Sequence, residues 1–334
     1  MAGVSVTTVS NALNGRTEAM APETLLRIQQ TIRALNYRPS QVARSLVTKQ
    51  TATIGVVLAE IDTPLFFQTL NDIETVARQA DHNILLATTK HNLSDEAQVL
   101  DLLLEKQVDG LILLSTSVLV EDNYLAGLPL STPPIVLINR SIPFNGRFDQ
   151  ISFDHRQGVT DAVTYLVSLG HRRIAHLTGP QSRVSTLERL KGYRLGLAQH
   201  NLPFVEDYLR PADFDQSPAT WERATLKLLS VSPRPTAVIA ANDRVAAIVM
   251  RTAQNQGLQI PRDISIIGID DQPFCLYLNP ALTTVQLPLI EASRKATRLL
   301  LEMIGGQRST AQNVILPCPL IVRESTGPAP AGAA

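Results

Sequence analysis

Apolar and polar positions follow two different rhythms along this chain. From Thr51 onward, short apolar runs recur at Thr53 to Leu58, Asn83 to Thr88, Gly110 to Leu114 and Ile135 to Ile138, separated by amphipathic stretches near 65–80, 94–107 and 120–127. The runs read as buried parallel strands and the stretches between them as crossover helices. A second series repeats the pattern, with strands at Arg173 to Leu177, Ala237 to Ala240 and Ile264 to Ile269 and helices near 156–169, 186–200, 217–230 and 243–256. Repetition of βαβ units in two halves predicts an α/β protein with two doubly wound parallel sheets, which gather ligand groups at the carboxyl ends of their strands.

The first fifty residues keep a helical period instead. Val6, Val9 and Leu13 fall on one stripe, while Thr7, Ser10, Asn11 and Asn14 spread over the other faces. Gly3 suits a left-handed turn, Ser5 can cap the helix by accepting from the N–H of Thr7 or Thr8, and Gly15 can end it. The segment reads as the turn and second helix of a helix-turn-helix, with hydroxyl and amide groups suited to phosphates and base edges. An ordinary surface helix is the alternative. Pro22 to Leu35 predicts a further helix with Leu25, Ile28, Ile32 and Leu35 on one face, Pro22 in the first turn and Glu23 at the positive end of the dipole. Asn36 to Ser40 breaks it, and Ser40 to Leu46 predicts a short capped helix.

Charge separates the head from the body. The whole chain has 30 basic and 30 acidic residues, yet residues 1–50 carry six Lys/Arg against two acids, leaving 24 basic and 28 acidic in the rest. A basic head on a slightly acidic body is the asymmetry of a nucleic-acid-binding arm. The 334 residues, 44% of them apolar, suffice for two or three domains with sizeable cores. Without a secretion signal or an apolar run of about 18 residues, the expected location is the cytoplasm. Cys275 and Cys318 lack metal or redox spacing and read as small buried apolar residues. The Pro/Ala/Gly-rich end, 326–334, reads as a disordered tail.

Ala2-Gly3-Val4-Ser5, Thr8-Val9-Ser10, Leu13-Asn14, Leu35-Asn36-Tyr37-Arg38-Pro39 and Val42-Ala43-Arg44-Ser45-Leu46 resemble, in order and spacing, the headpiece of the lac repressor family of bacterial transcription regulators. The likeness runs to about Ser325. It implies that Val6, Thr7 and Asn11 read bases, with Ser5, Thr8 and Ser10 in phosphate or packing positions and Asn14 and Arg44 also facing DNA. It further implies that Leu46 wedges into a central base step from the minor groove. Family members carry roughly ten more residues ahead of this point, forming the first helix of the motif. The expectation is therefore a reading frame that starts upstream, the alternative a true truncation, and weak operator binding by the chain as written.

The same resemblance implies a periplasmic-binding-protein-like core over 51–325, with lobe one at about 51–153 and 286–312 and lobe two at about 154–285 and 313–325, behind a headpiece and hinge helix at 1–50. The chain would cross between lobes near Asp154, Thr283 and Val314. Polar residues follow three strands: Asn139-Arg140, Asn242-Asp243 and Asp270-Asp271. Amides and carboxylates there can bond vicinal hydroxyls, although Asn242 or Asp243 could simply cap a helix. The loop Gly179 to Tyr193 resembles the family's effector-contacting loop, with Arg183, Ser185 and Arg189 in contacting positions; a helix-holding salt bridge is the alternative for Arg189. The family pattern also implies Phe214 as an aromatic platform, Leu65 and Phe66 as the near-lobe wall, and Asp270 as the chief ligand group. Many members have Gln where this chain has Leu287, pointing to an apolar contact.

No dinucleotide or phosphate-binding glycine loop follows the first strand, and no nucleophile elbow or zinc signature is present. His171 and His176 straddle a loop-to-strand junction rather than one helix face, so a metal pair is disfavoured. No enzyme activity and no cofactor are expected. The implied protein is a homodimeric regulator binding double-stranded operator DNA, with no membrane partner. Its small effector, a sugar or sugar derivative or else a nucleobase, would rotate one lobe and change the spacing of the hinge helices. A solute-binding protein or DNA-blind sensor accounts for the cleft but not for the basic head, Arg38 or Leu46.

Overall fold

The computed structural model describes residues 3–13, 17–18, 20–36, 50–59, 64–89, 93–114, 123–140, 144–211 and 217–331. The chain divides into two compact units, Met1–Thr53 and Ile54–Ala334.

In the first unit, α1 (Val6–Leu13) starts at Ser5, whose hydroxyl accepts from the N–H of Thr8 at 3.1 Å, and Gly3 takes a φ of +64°. Both features follow from the sequence. The apolar stripe does not: Val6 is 87% exposed, so no packing partner covers it within this unit. Helix α2 (Pro22–Ala34) buries Ile28 and half-buries Leu25 and Ile32. Leu35 lies beyond its end and is exposed, because the chain turns out of the helix there.

The second unit holds two six-stranded sheets. The first contains β1 (Thr53–Leu58), β2 (Asn83–Thr88), β3 (Gly110–Leu114), β4 (Ile135–Ile138), β5 (Asp149–Phe153) and β11 (Asn313–Leu316), in the order β11-β5-β4-β3-β1-β2. Helices α3 (Pro64–Gln79), α4 (Leu93–Glu105) and the short α5 (Asn123–Gly127) connect its strands. The second contains β6 (Ile174–Thr178), β7 (Leu209–Pro211), β8 (Ala237–Ile239), β9 (Ser265–Asp270), β10 (Thr283–Gln286) and β12 (Leu320–Ile321), in the order β12-β10-β9-β8-β6-β7. With it go α6 (His155–Ser168), α7 (Val184–Gln199), α8 (Pro218–Leu229) and α9 (Asp243–Asn255), whereas α10 (Leu289–Ile304) packs against α3, β3 and β4 of the first sheet. Strands β1, β3 and β4 are almost wholly buried, and each fully buried Ile, Leu or Val contributes about 1.5–3 kcal/mol by leaving water.

Three chain crossings join the lobes. The first is at Asp154 and the second follows Gln286, since β10 belongs to the second sheet and α10 to the first. The third corrects the expected crossing near Val314: β11 pairs in parallel with β5 from Asn313 to Leu316, so the chain crosses only after Leu316. The backbone ladder with β5, extended by the N–H of Asp154 donating to the Leu316 carbonyl at 2.9 Å, and the burial of Leu316 hold the strand in the first sheet. The expected disordered tail is corrected as far as Ala331, residues 332–334 lying outside the described residues. The carbonyl of Gly327 accepts from His171 Nε2 at 3.1 Å and the N–H of Ala329 donates to the Leu169 carbonyl at 2.8 Å, anchoring the segment to the start of the second lobe's sheet.

Candidate functional site

In the second unit the site is set by how closely two helices approach. A Cβ on Gly192 of α7 would stand 2.2 Å from the Arg156 carbonyl of α6, so only glycine permits this crossing. The Thr160 hydroxyl bridges it by donating to the Gly192 carbonyl at 3.1 Å. Arg189, one turn ahead of Gly192, is thereby held near the start of α6. Its side chain donates from Nη1 to the Ala241 carbonyl at 2.7 Å, and Nη2 stands 3.7 Å from Oδ1 of Asp270.

Asp270 ends β9 with a φ of +119°, a region that only glycine occupies without strain, and Asp271 follows at +58°. The surrounding groups hold this loop. Asp243, fully buried, accepts from the Thr284 hydroxyl at 2.6 Å and from the N–H of Gln272 at 2.7 Å. Asp271 accepts from Arg323 at 2.6 Å and from Gln286 Nε2 at 2.8 Å. Burial pushes the carboxyl of Asp270 well above the usual range; Arg189 opposes the shift and the charge of Asp243 adds to it. Asp243 is raised by burial too, against the pull of its hydrogen bonds.

Asn139, at the end of β4 with a φ of +55°, lies with Oδ1 3.0 Å from Nε2 of His155, the first residue of α6. His155 is buried, its ring edge-on to Phe153, and its pKa is held well below the histidine range, chiefly by burial and then by the charge of Arg189. Sequence reasoning missed this residue, since one histidine at a helix start carries no pattern. Its place directly after the crossing residue Asp154 was the available signal.

The other expected residues sort by what occupies them. Asn242 caps α9, its Oδ1 accepting from the N–H of Val245 at 2.9 Å, which leaves its amide nitrogen to offer. Arg183 is the residue ahead of α7 and makes no capping bond through its side chain. Ser185 lies four residues before Arg189, on the same helical face. Leu65 is buried and Phe66 half-buried at the start of α3. An open cavity of about 810 Å³ takes in Leu65, Asp270 and Leu287 but is lined mostly by the start of α10, including Glu291, Arg294, Lys295 and Arg298; Asn139, Arg183, Ser185, Arg189 and Asn242 do not line it. Phe214 lies outside the described residues, as do Asn14, Arg44 and Leu46. Arg140 is in a buried ion pair with Glu96 of α4.

His171 and His176 are core groups. Nδ1 of His171 meets the Thr236 hydroxyl at 2.9 Å, and Nδ1 of His176 meets the Ile239 carbonyl at the same distance. Burial lowers both pKa values, that of His176 to about 4. Among the described residues there is no cluster able to hold a metal ion and no helix long and apolar enough to cross a membrane. Cys275 and Cys318 are free and buried, and burial raises both thiols.

In the first unit, Ser5 and Thr8 are engaged with each other, their hydroxyls 2.8 Å apart in the cap of α1. Val6, Thr7 and Ser10 are exposed and Asn11 is half-buried.

Comparison with known proteins agrees with both units. The model of the family "Bacterial regulatory proteins, lacI family" matches residues 1–40, the basic head that a solute-binding protein leaves unexplained, and that of the "Periplasmic binding protein-like domain" matches residues 163–326. Catabolite control protein A of Priestia megaterium is 32% identical over 326 residues, covering 97% of this chain and 96% of that protein. Among solved structures, the Lac repressor dimer bound to operator and the anti-inducer ONPF superposes with a TM-score of 0.85 at 28% identity, covering 98% of this chain and 96% of that one. The transcriptional regulator CelR in complex with cellobiose gives 0.74 at 27% identity, with 97% of each chain covered. The chain therefore belongs to the LacI family of bacterial regulatory proteins and is a transcriptional regulator with a DNA-binding head and a ligand-binding core.

Proposed function

We propose that this regulator is a homodimeric repressor whose effector is a small hydroxylated molecule, a sugar or sugar derivative, held between the two lobes by Asn139, Arg183, Ser185, Arg189, Asn242 and Asp270. The observation that carries the reading is the convergence of Arg189 with Asp270 at a strained strand end beside Ala241 and Asn242. Such a strained, half-buried carboxylate costs stability, and it can accept from vicinal hydroxyls. Leu65, Phe66 and Leu287 supply an apolar wall, with Phe214 as the stacking platform. The relatives support the classes of partner: one Lac repressor structure holds operator and an anti-inducer, and CelR holds cellobiose. The operator is read by Val6, Thr7 and Asn11, with Ser5, Thr8, Ser10, Asn14 and Arg44 at the backbone and Leu46 in the minor groove.

A thermal-shift screen of monosaccharides, disaccharides and nucleobases against the full chain and an Asp270→Asn variant tests the site. A site ligand raises the wild-type Tm with concentration and leaves the variant unmoved. A screen in which every stabilising ligand acts equally on both proteins contradicts the assignment.

A further inference from the structure

Gln286 ends β10 directly opposite Asp270. The two are register partners in the parallel pair of β10 with β9, and beyond Gln286 the chain leaves this sheet for α10 of the first lobe. The side chain of Gln286 reaches past its partner: Nε2 donates to Oδ2 of Asp271 at 2.8 Å, while Oδ1 of Asp271 accepts from Nη2 of Arg323 at 2.6 Å. Arg323 is fixed in turn. It donates from Nη1 to the Leu282 carbonyl at 2.8 Å and from its backbone N–H to the Thr283 hydroxyl at 2.9 Å. Both oxygens of Asp271 are therefore taken up by residues beside the second and third crossings, in charge-assisted bonds.

The crossings are also bonded to one another. The N–H of Asp154, at the first, donates to the Leu316 carbonyl at 2.9 Å, and the N–H of Gln286, at the second, donates to the Pro319 carbonyl of the third at 2.8 Å. Asp270, Asp271, Gln286 and Leu287 face one open cavity, so a ligand there lies against the strained loop and the second crossing together. The N–H of Leu287 stands 3.4 Å from the Asp270 carbonyl, and the bond from Gln286 to Asp271 is the shorter of these two ties between loop and crossing.

On the reading of the effector site given above, we infer that Gln286 is a positioning residue. Through Asp271 it carries a change at the effector residue Asp270 into the crossings, and so sets the stance of the two lobes. Lysine can serve in its place, because an ammonium also donates to Asp271; leucine cannot.

Single-molecule FRET in the full chain reads that stance without any ligand. Dyes go on Lys106→Cys, just past α4 of the first lobe, and Gln199→Cys, at the end of α7 of the second; both positions are exposed and the native cysteines are buried. A trace of doubly labelled chain in excess unlabelled chain restricts the signal to pairs within one chain. Gln286→Leu should shift or broaden the efficiency distribution, and Gln286→Lys should keep that of wild type. Asp270→Gly, which relaxes the strained φ and removes the carboxylate, should shift the distribution in wild type and leave that of Gln286→Leu unmoved, as for two residues acting in one path. Gln286→Ala takes the place of the leucine variant should that not fold. Identical distributions for wild type and Gln286→Leu, a lysine variant that behaves as the leucine one, or an Asp270→Gly shift that is absent or equal in both backgrounds overturns the role of Gln286. Because no ligand is present, such a result leaves the effector site to the thermal-shift screen, and a failed screen leaves the FRET outcome as measured.

Discussion

Arg189 donates to the Ala241 carbonyl at 2.7 Å and keeps its other terminal nitrogen 3.7 Å from Asp270, too far for a full hydrogen bond and close enough to neutralise the carboxylate. The pair is therefore held short of closure, which leaves room for a ligand oxygen to bridge it. Arg189→Lys keeps the charge but loses the planar fork, and we expect effector affinity to fall at least tenfold by calorimetry. Arg189→Ala also leaves Asp270 without its counter-charge and lowers stability by about 3 kcal/mol in urea unfolding.

The carboxyl of Asp270 makes the protein pH-sensitive in a direction that can be stated. Its folded pKa is raised to about 7, against an unfolded value near 4. The folded state binds the extra proton between those limits, so this group's contribution to stability declines as pH rises from about 4 to about 7. Asp270→Asn lacks that decline, and its Tm relative to wild type should be higher at pH 8 than at pH 5. A difference that shrinks with rising pH contradicts the assignment.

Effector binding should show the opposite trend. A ligand hydroxyl donating to Asp270 favours the ionised carboxylate, so affinity rises with pH up to about 7 and levels off above it. Calorimetry at pH 5.5, 7 and 8.5 should find this rise in wild type and its absence in Asp270→Asn.

Gly192→Ala puts a methyl group against the Arg156 carbonyl and should force α6 and α7 apart. We expect a loss of about 1–3 kcal/mol together with weakened effector binding, because the crossing positions Arg189 and His155. A nearby exposed substitution, Arg194→Ala, serves as the comparison in denaturant unfolding.

How much of this was legible beforehand depends on where the controlling information lies. Strands such as Gly110–Leu114 were visible because both faces are buried and the composition shows it. Strand β5 (Asp149–Phe153) was not, since its polar Asp149 and Gln150 are buried by tertiary partners, Asp149 by Arg308 far along the chain. Helix α10 had a readable apolar face at Leu289, Ala292, Ala296, Leu299 and Leu300, and counting that spacing would have found it. At the site, Arg189, Asn242 and Asp270 follow recognisable strand ends and a family loop. The positive φ of Asp270, the tie between His155 and Asn139, 16 residues apart, and the anchoring of the tail by His171, across 156 residues, are features that no local pattern encodes.

In the head, Val6→Ala and Thr7→Ala should change operator preference without moving Tm, since both side chains are exposed; Ser5→Ala should cost about 1 kcal/mol through loss of the cap. Selection of binding sites from a random DNA pool separates the two effects.

Occupancy of the cleft should control DNA binding, and thermodynamic linkage makes that testable in one titration. Fluorescence anisotropy of a selected operator with the full chain, with and without a saturating ligand identified by the screen, measures that coupling. The operator Kd should change at least fivefold on ligand addition in wild type and stay unchanged in Asp270→Asn. A ligand shown by calorimetry to occupy the wild-type site, yet leaving the operator Kd unchanged, would contradict it.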